Sequence, residues 1–148
     1  MKASHLLILF TVLSVALIAS ATLHYTVTPQ ASIQMSQMEI HFVNQNAVAV
    51  INYEVGFLTQ LYFLFFGTHH LSPYLQELLF DFEEYRIISI HSTTATVELL
   101  NVSRFEDVFY LHDSRMLGSE VGLLILFFPD GHTRSFYNAV VTPNVFYY

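Results

Sequence analysis

The chain has 148 residues, 53% of them hydrophobic and 16% aromatic, which is material for one domain with a sizeable core and excludes a disordered chain. Twelve acids against five bases give a formal net charge of −7, which excludes nucleic acid as a partner because phosphate binding needs a Lys/Arg surface. Cysteine is absent, which excludes disulfides, thiol catalysis and cysteine-ligated zinc.

The N-terminus reads MKASHLLILFTVLSVALIASAT. Lys2 supplies a positive start, residues 6–18 an apolar run, and Ala19-Ser20-Ala21 the small residues that a signal peptidase reads. The expectation is a signal peptide over residues 1–21, cut between Ala21 and Thr22. The alternative is an uncleaved anchor over residues 6–23, about 27 Å as a helix against a hydrocarbon core of ~30 Å. Either reading places the rest of the chain outside the cytoplasm, secreted or tethered at its N-terminus. Loss of residues 1–21 removes the only lysine and takes the net charge to −8. A basic membrane-surface patch is therefore not expected.

Residues 22–37 are polar and contain Pro29, and they read as a spacer or a frayed first strand. A single domain is expected over residues 38–148. Residues 38–43 and 47–55 alternate apolar and polar around Asn44-Gln45-Asn46, which predicts a hairpin. Next comes GFLTQLYFLFFGTHH, residues 56–70. Its apolar core is ten residues, about 15 Å as a helix and half a bilayer, so it cannot span one. Apolar side chains surround its axis, which predicts a helix buried on all sides and ended by Gly67. Should the core leave part of it uncovered, that surface becomes a docking site, for a protein partner or a membrane leaflet, through Leu61, Phe65 and Phe66.

Ser72 and Pro73 predict a second helix, capped by Ser72, with Leu75, Leu78, Leu79 and Phe82 as its buried stripe and Glu77, Asp81 and Glu84 on the opposite side. A second hairpin is expected over 85–91 and 95–101 and a short strand over 108–112. A third hairpin is expected over 122–128 and 133–137, turning at Pro129-Asp130-Gly131. The tail TPNVFYY is read as an edge strand. The predicted fold is α+β: an antiparallel sheet or sandwich built from hairpins, with an inserted helix pair, preceded by an N-terminal hydrophobic helix. A membrane β-barrel is rejected, because LLILFF does not alternate and the helix pair interrupts the strands.

Candidate sites are sparse. His69 and His70 form a potential metal-ligand pair, yet adjacent residues seldom ligate one ion and zinc needs further ligands. His41, His91, His112 and His132 lie on or beside strands and could join them only through the fold. Glu77, Asp81, Glu83 and Glu84 read as a solvated helix face. Gly118-Ser119-Glu120-Val121-Gly122 carries its serine one position early for a nucleophile elbow and reads as a turn. Asn101-Val102-Ser103 is an N-glycosylation acceptor triplet at Asn101. Phe63, Phe65, Phe66, Tyr74 and Tyr110 are the aromatics available to a ligand surface; core packing is the competing role. The sequence thus favours a non-catalytic binding or structural domain, not an enzyme and without cofactor. Its partners would be a protein, or a membrane through residues 6–23 if these are retained. A histidine-dependent metal-binding protein and a hydrolase with a non-local site are the alternatives.

Overall fold

A computed structural model describes residues 33–148. The leader expected over 1–21, the cleavage point at Ala21 and Thr22, and the alternative anchor over 6–23 lie outside the described residues.

Alternation sets the first hairpin. Strand β1 (Gln34–Val43) and strand β2 (Asn46–Glu54) pair antiparallel, with Val43 opposite Asn46. Asn44 takes φ 54° in the two-residue turn, a left-handed position that asparagine tolerates. β1 begins four residues before the expected start, so residues 34–37 belong to the sheet and not to a spacer. The reason is a bulge: pairing skips Ser36 between Met35 and Gln37, which lets both Met35 and Met38 face inward. A single unbroken period of two hides that extension.

Strand β3 (Glu84–Ile90) and strand β4 (Thr94–Leu100) form the second hairpin, and β4 also pairs with β2. Strand β5 (Ser103–Glu106), which the sequence reading missed, pairs with strand β6 (Phe109–His112). Strand β7 (Met116–Phe127) and strand β8 (Thr133–Val141) form the third hairpin, and strand β9 (Val145–Tyr147) pairs with β6. Six strands make one sheet in the order β3-β4-β2-β1-β7-β8, and three make a second in the order β5-β6-β9. The expectation of a wholly antiparallel sheet is corrected at one ladder: β1 and β7 run parallel, from Met35 beside Val121 to His41 beside Phe127. Five strands separate the two in sequence, so no local turn signal could announce the pair.

The large sheet buries cross-strand rows of side chains. Leu126, Ile40, Ala49 and Val97 make one row across β7, β1, β2 and β4; Leu124, Met38, Ile51 and Ala95 make the next. The opposite face is half-buried and mixed: His41 stacks on Phe127 with ring centroids 4.2 Å apart, and Arg86 pairs with Glu98. LLILFF does not alternate because β7 is an interior strand, with neighbours on both sides and apolar residues on both faces.

The core rows are covered by two different layers. At one end, the Phe42 ring lies 4.8 Å from Tyr147 and 5.2 Å from His112, so the small sheet closes that end. The Tyr147 hydroxyl donates to the Asn44 carbonyl at 2.6 Å and lies 2.9 Å from Ser103 Oγ, tying the last strand to the first turn. The other cover is helical. Helix α1 (Phe57–Phe66) has the bounds expected of it, and a 3-10 turn (His69–Leu71) leads into helix α2 (Ser72–Leu78). Leu75, Leu78, Leu79 and Phe82 are buried as the stripe predicts, although the helix ends at Leu78 and a turn delivers the last two. Ser72 is not the cap: the 3-10 turn already supplies helical backbone before it, and no side chain caps the end.

Gly118 lies inside β7, so the segment read as a turn is strand. A Cβ there would sit 1.9 Å from the Glu77 carbonyl oxygen, which makes glycine the residue that lets α2 approach the sheet. Gly118→Ala is expected to destabilise the domain by about 1–3 kcal/mol, read as a lower denaturant midpoint at unchanged m-value. Gly56→Ala, at a position with open space around its Cβ, should leave the midpoint in place.

Candidate functional site

The surface that stands out is α1. A ten-residue helix is marginal alone and depends on tertiary packing. Here that packing is narrow: only Thr59 and Phe63 are buried. Opposite them, Phe57 is 71% exposed, Leu58 71%, Leu64 77% and Phe65 74%, with Leu61 between them and Phe66 exposed beside them. On a helical wheel Phe57, Leu58, Leu61, Leu64 and Phe65 fall within an arc of about 120°. The expectation of a helix buried on all sides is therefore overturned. The core rows are already filled by Leu71, Leu75, Leu78 and Leu79, and α1 rests on the domain by one edge. Covering a Leu or Phe is worth roughly 1.5–3 kcal/mol, so the outward face forgoes on the order of 10 kcal/mol. This exposed apolar patch is the candidate site.

The geometry holding α1 is well defined. Gly56 precedes it with no side-chain cap, and Gln60 Nε2 donates to the Val55 carbonyl at 3.3 Å. Gly67 ends it with φ 80° and ψ 177°, backbone that glycine alone adopts cheaply, and its N–H donates to the Phe63 carbonyl at 2.9 Å. Thr68 Oγ1 donates to the Ile90 carbonyl at 3.0 Å, pinning the helix end to the tip of β3. A shallow groove runs along one side, between Phe57, Leu61 and Leu64 of the helix and Ser92 and Thr93 of the β3–β4 turn.

His69 and His70 lie at the end of this helix with rings 4.1 Å apart, and His70 Nε2 is 3.1 Å from the Tyr62 hydroxyl. Tyr62 stacks on Phe66 at 4.8 Å, so the pair belongs to an aromatic rim. The fold does not bring the other strand histidines to them. His41 pairs with Glu39 at 3.3 Å, His132 with Asp130 at 2.9 Å, and His91 contributes its carbonyl to the Tyr53 hydroxyl. Among the described residues there is no group of three or more His, Asp or Glu side chains that could hold a metal ion.

His112 is the exception in burial. Its Nδ1 is 2.7 Å from the Val102 carbonyl, which can only accept, so Nδ1 carries the proton. Nε2 accepts from Thr142 Oγ1 at 3.0 Å, and that hydroxyl accepts in turn from the Arg115 N–H at 2.9 Å. Burial pushes the His112 pKa down, helped by the nearby Arg115 charge. It is a structural joint between the small sheet and the strand connections.

The remaining candidates disperse. Asp81 accepts from the Met116 N–H at 2.7 Å, a structural bond between the α2–β3 turn and β7, while Glu77, Glu83 and Glu84 are exposed. Asn101 takes φ 51° at the end of β4 and donates to Glu84 at 3.1 Å, but Ser103 of its triplet is buried against Tyr147. Modification at Asn101 would thus have to precede folding. Of the aromatics, Phe63 is core, Tyr110 stacks on Tyr147, and Tyr74, Phe65 and Phe66 are exposed. Phe57, Leu58 and Leu64 are residues of the site that sequence reasoning did not single out. The signal was present in the absence of charge from residue 55 to residue 76.

Comparison with protein-family models, with curated proteins and with solved structures finds no match to this chain. The class defined by its own fold is a mixed α+β domain, mostly antiparallel, with two short helices. Its distinctive feature, among the described residues, is an exposed apolar face on α1.

Phe63→Ala should cost about 3 kcal/mol in chemical denaturation, whereas Leu64→Glu should change stability by less than about 0.5 kcal/mol. The folded-state pKa of His112 lies below its unfolded value, so its neutral form stabilises the fold above about pH 6.5, and that contribution is lost as pH falls through the folded pKa. Stability measured between pH 7 and 5 is expected to fall, and His112→Gln to flatten that slope.

Proposed function

We propose that this protein is an exported or membrane-tethered binding domain, without catalysis of its own, that engages its partner through the outward face of α1. The observation that carries the reading is the uncovered ridge of Phe57, Leu58, Leu61, Leu64 and Phe65 on a segment with no charged residue from 55 to 76. A solvent-exposed helix face is ordinarily polar, so an apolar one implies a cover supplied from elsewhere. Export is inferred from the order of Lys2, the apolar run 6–18 and Ala19-Ser20-Ala21. The sheet then serves as a rigid base that fixes the helix at its surface.

The first test is behaviour in solution. The parent chain is expected to self-associate or adhere to apolar surfaces. Leu61→Glu with Phe65→Glu should restore a monodisperse protein with the same circular dichroism and thermal midpoint. Unfolding by the pair would assign α1 to the core and sink the docking reading. Intact mass from the native compartment tests export. Residues 22–148 alone, or the whole chain in the membrane fraction, are the expected results; the whole chain in the cytosolic fraction would overturn that half of the proposal.

A further inference from the structure

We infer that the cover of α1 is a phospholipid bilayer surface, with the ridge of Phe57, Leu58, Leu61, Leu64 and Phe65 lying in the interface. The inference rests on the docking reading above and names its partner. Three observations point to lipid. The first is shape: the apolar arc lies opposite a narrow contact line at Thr59 and Phe63 and is bordered on one side by the shallow groove against Ser92 and Thr93, and a fluid interface accommodates such an uneven surface without a preformed complement.

The second is chemistry. The five bases and 12 acids of the chain all lie outside residues 55–76, so α1 and its flanking segments bring no Lys, Arg, Asp or Glu of their own into the interface. Its margin includes Tyr62 and His70, rings with polar tips of the kind that settle at a membrane–water boundary. The third is delivery. On the export reading proposed above, residues 6–23, removed or retained, would bring the chain to a bilayer. If retained, residue 33 is ten residues further on, a tether of at most about 36 Å. A chain with 12 acids and no Lys or Arg within residues 55–76 should prefer zwitterionic phosphatidylcholine to anionic lipid.

The chain contains no tryptophan, so Phe65→Trp places a single indole on the ridge. In the full-length protein, phosphatidylcholine vesicles should shift the emission of that indole to the blue, and vesicles with brominated acyl chains should quench it at least twofold. Adding Leu61→Glu and Leu64→Glu should abolish both effects with the circular dichroism unchanged, which separates the ridge from anything residues 6–23 do alone. Quenching that survives those two changes overturns the inference. So does an indole already blue-shifted in buffer and indifferent to vesicles, a result that leaves docking intact but with a second copy or another protein as the cover. An indole exposed to water with and without vesicles also overturns the lipid assignment, and with a monodisperse parent chain it removes the docking reading as well.

Discussion

The parallel ladder between β1 and β7 joins two halves that would otherwise be separate. On one side of it lie β2, β4 and β3, and on the other β8. One half is the four strands β1–β4 and the other is the single hairpin β7–β8, which is marginal alone in water. Pairing Met38 with Leu124 and Ile40 with Leu126 merges their apolar faces into one core. Everything outside the sheet is then placed by that core. α2 approaches β7 where Gly118 leaves room, and the small sheet closes over Phe42. Such a ladder also implies slow assembly, because a long loop must close before the contact forms.

α1 shows what happens when that core is complete. The segment from Leu71 to Phe82 already supplies the side chains that fill the helical side of the sheet. α1 is held by Thr59, Phe63 and the hydrogen bonds at Gln60, Gly67 and Thr68, and its remaining apolar surface has no interior position to occupy. Net domain stability is only about 5–15 kcal/mol, so an uncovered face of this size is a large concession. A helix that serves the core alone would carry polar residues there. The proposed binding role and its lipid partner follow from that mismatch between composition and burial.

The histidines illustrate the limits of counting residue types. Eight in a chain with few bases left a shared site only as an alternative, since the pattern favoured scattered histidines. The fold gives the described histidines separate roles: a cross-strand stack for His41, a backbone acceptor for the Tyr53 hydroxyl at His91, a buried joint for His112, an exposed partner of Asp130 for His132, and a rim position for His69 and His70. Spacing along the chain carries no information on whether strands in two different sheets bring their side chains together.

Local physics was readable directly. Alternation gave β2 and most of β1, the turn near residues 92–94 gave the β3–β4 hairpin, Asp130-Gly131 gave the β7–β8 turn, the i, i+3, i+4, i+7 spacing gave the buried stripe from Leu75 to Phe82, and Gly67 marked the end of α1. These features depend on neighbours a few residues apart, which a sequence displays. The β1–β7 pairing, the bulge at Ser36, the extra strand β5 and the exposure of α1 were not readable. Each depends on which distant segment wins a place in the core. By itself, the sequence determined that α1 is a ten-residue, charge-free apolar helix. Only the tertiary structure decided that its apolar face points outward, because burial is a competition for a finite volume and Leu71, Leu75, Leu78 and Leu79 occupy it.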